Sequence, residues 1–427
     1  MAYSRSSAEK ELINAGLVIH MKVGVYCPDN NPTSGGVYTY QMELMCALSE
    51  LAEGSNHTFV VFTPYPDDLR QFIHSQKIQI IKTPKYSFFP SGFFNGLQYL
   101  VGVFFNKLFN YLPLIDNYRH INRFEKLARS CEIGFLWFLT PAFIPVNIPY
   151  LATPLDLQHR IQPYFPEVVE GGLWERRESF YSHHLQCASI IVVGTETGRK
   201  EIERFFQVPS ERIKVLPHPT PRFVVEMAID KKRDILKKYG IPHNYLFYPA
   251  QFWSHKNHAN LLLSLQILKQ KYNIILPMVF VGSDKGNEKY IRKLISKWEL
   301  SYQVHILGFV PREDMISLYQ NAFALTYMTF FGPDNLPPLE AFALGCPVIA
   351  SKVSGAEEQL GDAALLVDPK NPEQIADAIF NLYNSPDLRK ILIDRGSKRA
   401  QKWTGHDYVR NIFSILDEFE AIRRCWK

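Results

Sequence analysis

No two of the six cysteines form a C-x-x-C pair; Cys27, Cys46, Cys131, Cys187, Cys346 and Cys425 are scattered along the chain. That spacing excludes a zinc ribbon and a disulfide framework, and it fits a reducing compartment. Charge of one sign is also scarce. With 47 basic and 42 acidic residues the formal charge is +5, far from a nucleic-acid-binding composition. Such a mild positive bias suits an anionic ligand or a membrane surface. The first twenty residues lack the apolar stretch of a secretory signal and read as an extension before the first strand. These absences predict a cytoplasmic chain.

Long apolar runs are missing as well. The aromatic-rich segment 86–115 is broken by Asn95, Gln98, Asn106 and Lys107, so it lacks the roughly 20 apolar residues that a spanning helix needs. It reads as a helix that covers the core, lies at a membrane interface or lines an apolar acceptor groove. An interfacial placement predicts peripheral contact on the inner membrane face. There is no G-x-G-x-x-G fingerprint, which counts against a nicotinamide or flavin site. There is no D-x-D pair and no His/Cys cluster with ligand spacing; His183 and His184 are adjacent and point different ways on a helix. No metal and no cofactor are expected. Internal repeats and low-complexity tracts are absent too.

What is present is a strand–helix alternation, repeated twice. The run MKVGVYCP (21–28) predicts a strand, the turn-rich segment through Gly35-Gly36 a loop, and VYTYQMELMCALSEL a helix; HTFVVFTP (57–64) is the next strand. Strand signals recur at 131–139, 148–156 and 189–196, with helices over 175–187 and 197–206. The proline-rich VLPHPTPRF (215–223) predicts a linker. The pattern then restarts with strands at 244–251, 276–284, 302–310, 322–328, 347–351 and 363–369, interleaved with helices. The fold class is therefore α/β, with two Rossmann-like, doubly wound parallel sheets. The expected division is an extension over 1–20, a first domain over 21–218, a second over 219–402, and a terminal helix over 403–427 that packs back across the linker. Ligands of such sheets bind at the carboxyl ends of the strands.

Three segments carry chemistry. Gly35 and Gly36 follow the first strand and open the first helix, where backbone N–H groups and the helix N-terminus suit an anion. TFFGPDNLPPLEAFALGCPVIAS (329–351) opens another helix, with Pro337 and Pro338 presetting its first turn and Asn335 placed to cap it. Glu340, expected in that first turn, offers a carboxylate for the two hydroxyls of a ribose. YPAQFWSHKNH (248–258) puts Lys256 just before a helix, within reach of a phosphate, with Trp253 and His255 beside it to shape the pocket.

The order of GGVYTYQMEL, PLDLQHRIQPYFPE, YPAQFWSHKNHANLL and GPDNLPPLEAFALGCPVIAS resembles the group 1 family of retaining nucleotide-sugar glycosyltransferases with the GT-B architecture. The resemblance runs from about Met21 to Trp403 and points toward enzymes of bacterial surface polysaccharides. It implies two facing halves, an acceptor-binding N-terminal one and a donor-binding C-terminal one. Gly35, Gly36 and Lys256 would meet the donor phosphates, the Leu336 backbone the β-phosphate, Glu340 the ribose, and Phe309 and Val310 the nucleobase. Asp156 would touch the transferred sugar or the incoming hydroxyl, with His159 nearby.

The resemblance also implies front-face displacement without a metal, in which the departing phosphate helps deprotonate the acceptor, a saccharide or a lipid-linked one. Three positions depart from the family pattern. Gln251 stands where an Arg is usual, Gly332 where the first Glu of the paired motif falls, and Leu155 where a His is expected. Asp334, with Asn335 beside it, is the substitute carboxylate for the missing Glu. These departures keep one alternative open, a catalytically weak or inactive nucleotide-sugar-binding subunit; a sugar-nucleotide epimerase of the same architecture is a separate one.

Overall fold

The computed structural model describes residues 21–28, 31–32, 35–84, 121–144, 146–226 and 235–425. The N-terminal extension and the aromatic segment 86–115 lie outside the described residues.

Among the described residues, thirteen strands form two sheets. The first holds β1 (Lys22–Tyr26), β2 (Thr58–Thr63), β3 (Ile78–Lys82), β4 (Phe135–Phe138), β5 (Tyr150–Ala152), β6 (Ile190–Val193) and β7 (Ile213–Val215). Its order is β3-β2-β1-β4-β5-β6-β7. The second holds β8 (Leu246–Pro249), β9 (Met278–Val281), β10 (Val304–Ile306), β11 (Ala324–Tyr327), β12 (Val348–Ser351) and β13 (Ala364–Val367), in the order β10-β9-β8-β11-β12-β13. Registers such as Val23↔Phe59 and Leu246↔Met278 are parallel, with helices in the connections. Strands buried on both faces read as continuous apolar runs rather than alternating ones, as in FLWF of β4 and MVFV of β9. Both orders change direction beside the first strand of the set, which is the doubly wound arrangement.

The chain divides into two compact units, residues 1–30, 44–153 and 409–427 in one, and residues 31–43 and 154–408 in the other. The expected boundary at 218 thus falls inside the second unit. In the first unit, the end of helix Gly405–Arg423 lays Phe413 on Phe59 (centroids 5.5 Å apart) and Phe419 on Phe135 (4.6 Å). In the second, the proline-rich segment is tied to the residues that precede that helix. Thr220 bridges to Thr404, and the Trp403 indole donates to the Pro217 carbonyl at 2.8 Å. No helix among the described residues is long and apolar enough to cross a membrane.

Candidate active site

A cavity of about 470 Å³ opens in the second unit, within the size range of small-molecule sites. Its wall includes Gly35, Gly36, Asp156, Gln251, Lys256, Phe309, Val310, Asp334, Asn335, Leu336 and Glu340. These segments, widely separated in sequence, converge because loops follow the carboxyl ends of parallel strands.

Gly35 sits at φ +72°, a backbone state that favours glycine, and its carbonyl accepts from Thr39 to start helix Gly36–Leu51. The first turn of this helix leaves N–H groups without intrahelical partners at the cavity wall. Across from it stand Gln251, whose Nε2 is 3.8 Å from where a Gly35 Cβ would lie, and Leu336, equally close to a Gly36 Cβ.

Lys256 ends a short 3-10 turn (Ser254–Lys256). Its carbonyl accepts from the buried Tyr248 hydroxyl at 2.6 Å, and its Nζ donates to the Tyr327 hydroxyl at 3.1 Å. Tyr327 in turn donates to Asn335 Oδ1 at 3.1 Å, and Asn335 Nδ2 donates to the Gly332 carbonyl at 2.6 Å. Asn335 therefore occupies the N-cap position of helix Leu336–Ala343 without capping it, contrary to expectation. Its amide is committed to Tyr327 and Gly332, while its backbone N–H donates to Gln359 Oε1 at 3.0 Å. Pro337 and Pro338 do open this helix. Glu340 lies one residue past the first turn rather than in it. Its Oε2 accepts from Tyr319 at 2.7 Å, and Oε1 has no hydrogen-bond partner among the described residues. Burial raises the Glu340 carboxyl above its usual range, against the opposing pull of Tyr319 and Arg312.

Asp334 has both oxygens engaged. Oδ2 accepts from the His218 backbone N–H at 2.6 Å, and Oδ1 from the Gln359 amide. Its side chain is 3% exposed, and burial raises its carboxyl. Asp334 thus pins the 217–218 segment to the 332–335 loop, and its oxygens already have partners. Gln251 is likewise held, with Oε1 accepting from Trp253 at 3.0 Å and Nε2 donating to Ser283 at 3.3 Å.

Asp156 Oδ1 accepts from the Gln158 N–H at 2.9 Å and from Arg177 at 2.7 Å. Burial pushes against its charge, yet the Arg177 guanidinium holds the carboxyl below its ordinary value. His159 is not brought to the cavity. The short helix Gln158–Ile161 turns it into the interior, where it is fully buried against Trp174 and Tyr181, with Nε2 3.3 Å from Glu178. Burial lowers it to about 4, so it is neutral near pH 7. This placement removes the expected contact between His159 and a sugar.

Four participants escape a reading of the sequence. Arg312 lines the cavity with its guanidinium 4.5 Å from the Phe223 centroid, a cation–π arrangement. Arg177 holds Asp156. Tyr327 receives Lys256. Glu167 accepts from the His255 N–H at 2.9 Å and lies 2.5 Å from its Nδ1. Each depends on proximity in space; Arg312 follows Val310 by two residues and Glu167 closes the segment PLDLQHRIQPYFPE, yet the sequence assigns neither a role. Among the described residues no cluster of three or more His, Cys, Asp or Glu side chains has the geometry of a metal site.

Residues 231–399, which supply Lys256, Asp334, Asn335 and Glu340, match the family model of glycosyl transferases group 1. Among curated relatives, the O-antigen chain mannosyltransferase B of Escherichia coli is 27% identical over 221 residues, covering 52% of this chain and 58% of the relative. The chain spans under two thirds of the length of the first curated relatives it matches. Among solved structures, the sucrose-phosphate synthase of Thermosynechococcus elongatus superposes with a TM-score of 0.69 at 18% identity, covering 94% of this chain and all of that one. Anabaena HepE in complex with UDP and glucose gives 0.64 at 14% identity, covering 93% and 100%. The fold is GT-B, and residues 231–399 are similar to the glycosyl transferases group 1 model.

Proposed function

We propose that this chain transfers a hexosyl group from a nucleotide diphosphate donor to a saccharide or lipid-linked acceptor, with retention of anomeric configuration and without a metal. One observation carries the reading: Lys256, the Glu340 carboxylate and the N-terminus of helix Gly36–Leu51 line a single cavity. An ammonium and a set of free N–H groups suit a diphosphate, and a carboxylate oxygen without a partner suits a ribose. The group 1 match supports this reading, as do the sugar-transferring names of the relatives. Mannose is the first sugar to test, because the bacterial relative is named a mannosyltransferase.

In this mechanism the protein's work is electrostatic. Lys256 and the first-turn N–H groups stabilise charge developing on the departing diphosphate, and Asp156 stands on the same wall to orient the sugar or the incoming hydroxyl. The leaving phosphate oxygen receives the acceptor proton. The departures at Gln251 and Gly332 favour one rival, a binding subunit that holds the nucleotide sugar without turning it over.

A thermal-shift screen against UDP, GDP, dTDP and ADP tests the binding step, since saturating a folded-state site at about 100 times its Kd adds ~2.7 kcal/mol. At least one nucleotide is expected to raise the melting temperature; a flat response to all four ends the reading. Transfer of labelled sugar to an acceptor in excess chelator then separates enzyme from binding subunit. Loss of turnover that manganese restores would refute the metal-free part.

A further inference from the structure

We propose that a nucleoside diphosphate entering this cavity protonates His255, so that its imidazolium and the Lys256 ammonium hold the diphosphate together. The inference rests on the nucleotide-binding reading above. Its basis is the pairing with Glu167. A single carboxylate oxygen, Oε1, faces both the His255 backbone N–H and ring Nδ1, at 2.9 Å and 2.5 Å. This fixes Nδ1 as the donor and leaves Nε2 as the free edge of the ring. Phe165 packs edge-on against the imidazole, with centroids 6.1 Å apart, and itself stacks on Phe330. The ring is thus locked in place, and the residue lines the cavity directly before Lys256.

The charges facing His255 are few. Glu167 comes from the short helix Pro166–Val169, Asp156 from the loop after β5, and Lys256 from the same turn; His258, fully buried and lowered to about 3, adds no charge near neutral pH. Burial outweighs the two carboxylates, with help from Lys256, and keeps the imidazole neutral near pH 7. A diphosphate reverses this balance, because an anion within about 4–6 Å favours the charged form by roughly 1–3 pH units. One proton passes from solvent to Nε2, and no covalent bond changes. The segment 249–256 contains no other Lys or Arg, since Gln251 is neutral and committed to Trp253 and Ser283, so this proton gives the loop its second positive charge.

The test is isothermal titration calorimetry of UDP and GDP into the full chain, in two buffers of different ionisation enthalpy, from pH 6 to pH 8.5. The wild type is expected to take up a sizeable fraction of a proton relative to His255→Asn near pH 7; ionisation of the nucleotide itself cancels in that difference. Its affinity should exceed that of the variant about tenfold at pH 6 and converge with it above pH 8, one pH unit of coupling being one decade in Kd. Glu167→Gln keeps the hydrogen bond and removes the charge, so proton uptake should move to lower pH by about one unit. Nucleotide binding with equal proton uptake in wild type and His255→Asn overturns the inference while leaving the nucleotide site intact. Should His255→Asn not fold, unchanged uptake in Glu167→Gln overturns it equally. Failure of the wild type to bind either nucleotide removes the nucleotide reading, and the inference with it.

Discussion

The Asn335 amide fills the space that a side chain on Gly332 would need: a Cβ there would lie 2.7 Å from Asn335 Nδ2. Gly332 also has φ +138°, in the region that favours glycine. The position where the family pattern places its first Glu is therefore closed by a neighbouring amide that belongs to the Lys256–Tyr327–Asn335 chain.

Gly332→Ala should accordingly destabilise the fold by roughly 1–3 kcal/mol through overpacking and backbone strain. Urea denaturation measures this. In Gly332→Ala/Asn335→Ala the steric part should be relieved, so the double variant should cost less than the sum of the two single changes. Strict additivity would show that the amide does not control the position.

Lys256→Ala should lower kcat/KM for the donor by about 10²–10³, the range for removing one preorganised charge-stabilising donor. Tyr327→Phe removes only the hydroxyl that parks the ammonium, and a loss of about tenfold or less is expected. Steady-state kinetics with varied donor settles the ranking. Equal losses would place Tyr327 itself against the donor.

Glu340→Ala should act mainly on donor KM, since the lost oxygen is assigned to the ribose. A lost hydrogen bond to a charged group is worth about 1.5–3 kcal/mol, or roughly 10–150-fold in donor binding. A variant with unchanged donor KM removes the ribose role.

Glu201 supplies a pH prediction. Burial, reinforced by the Asp156 charge, raises its carboxyl to about 7. The folded state therefore holds a proton that the unfolded chain releases near the ordinary glutamate value, about 4.3. By linkage, the Glu201 contribution must fall as pH rises from about 4.3 to about 7, then level off. Because the group is only partly shielded from solvent, the loss should be about 1–2 kcal/mol rather than the full converted shift. Glu201→Gln should flatten that slope and be the more stable protein at pH 8, as read by urea unfolding at pH 5 and pH 8. Parallel pH profiles for the two proteins would contradict it.

Much of the architecture could be read from the sequence because its strands are buried on both faces. Apolar runs such as FVVF and MVFV stand out without any knowledge of their partners. β3 was missed because IQIIK is half exposed at the sheet edge, and β7 because its three residues run into the prolines read as a linker. That Lys256, Glu340 and the glycine pair would line one cavity was legible, since spacing from a strand end fixes where a loop residue goes. Asn335 was misjudged because capping propensity is local, whereas Tyr327 and the Gly332 carbonyl compete for the same amide. His159 was misjudged because nearness to Asp156 in sequence does not say which way a one-turn helix faces. Glu167 and His255 are 88 positions apart, and no local pattern announces such a pair.

Parking Lys256 on a phenol has a kinetic consequence. Among the described residues no carboxylate neutralises this ammonium, so an arriving polyanion displaces no counter-charge and breaks no salt link. The loop keeps its attractive potential, and capture should slow as added salt screens that potential over about 8–10 Å.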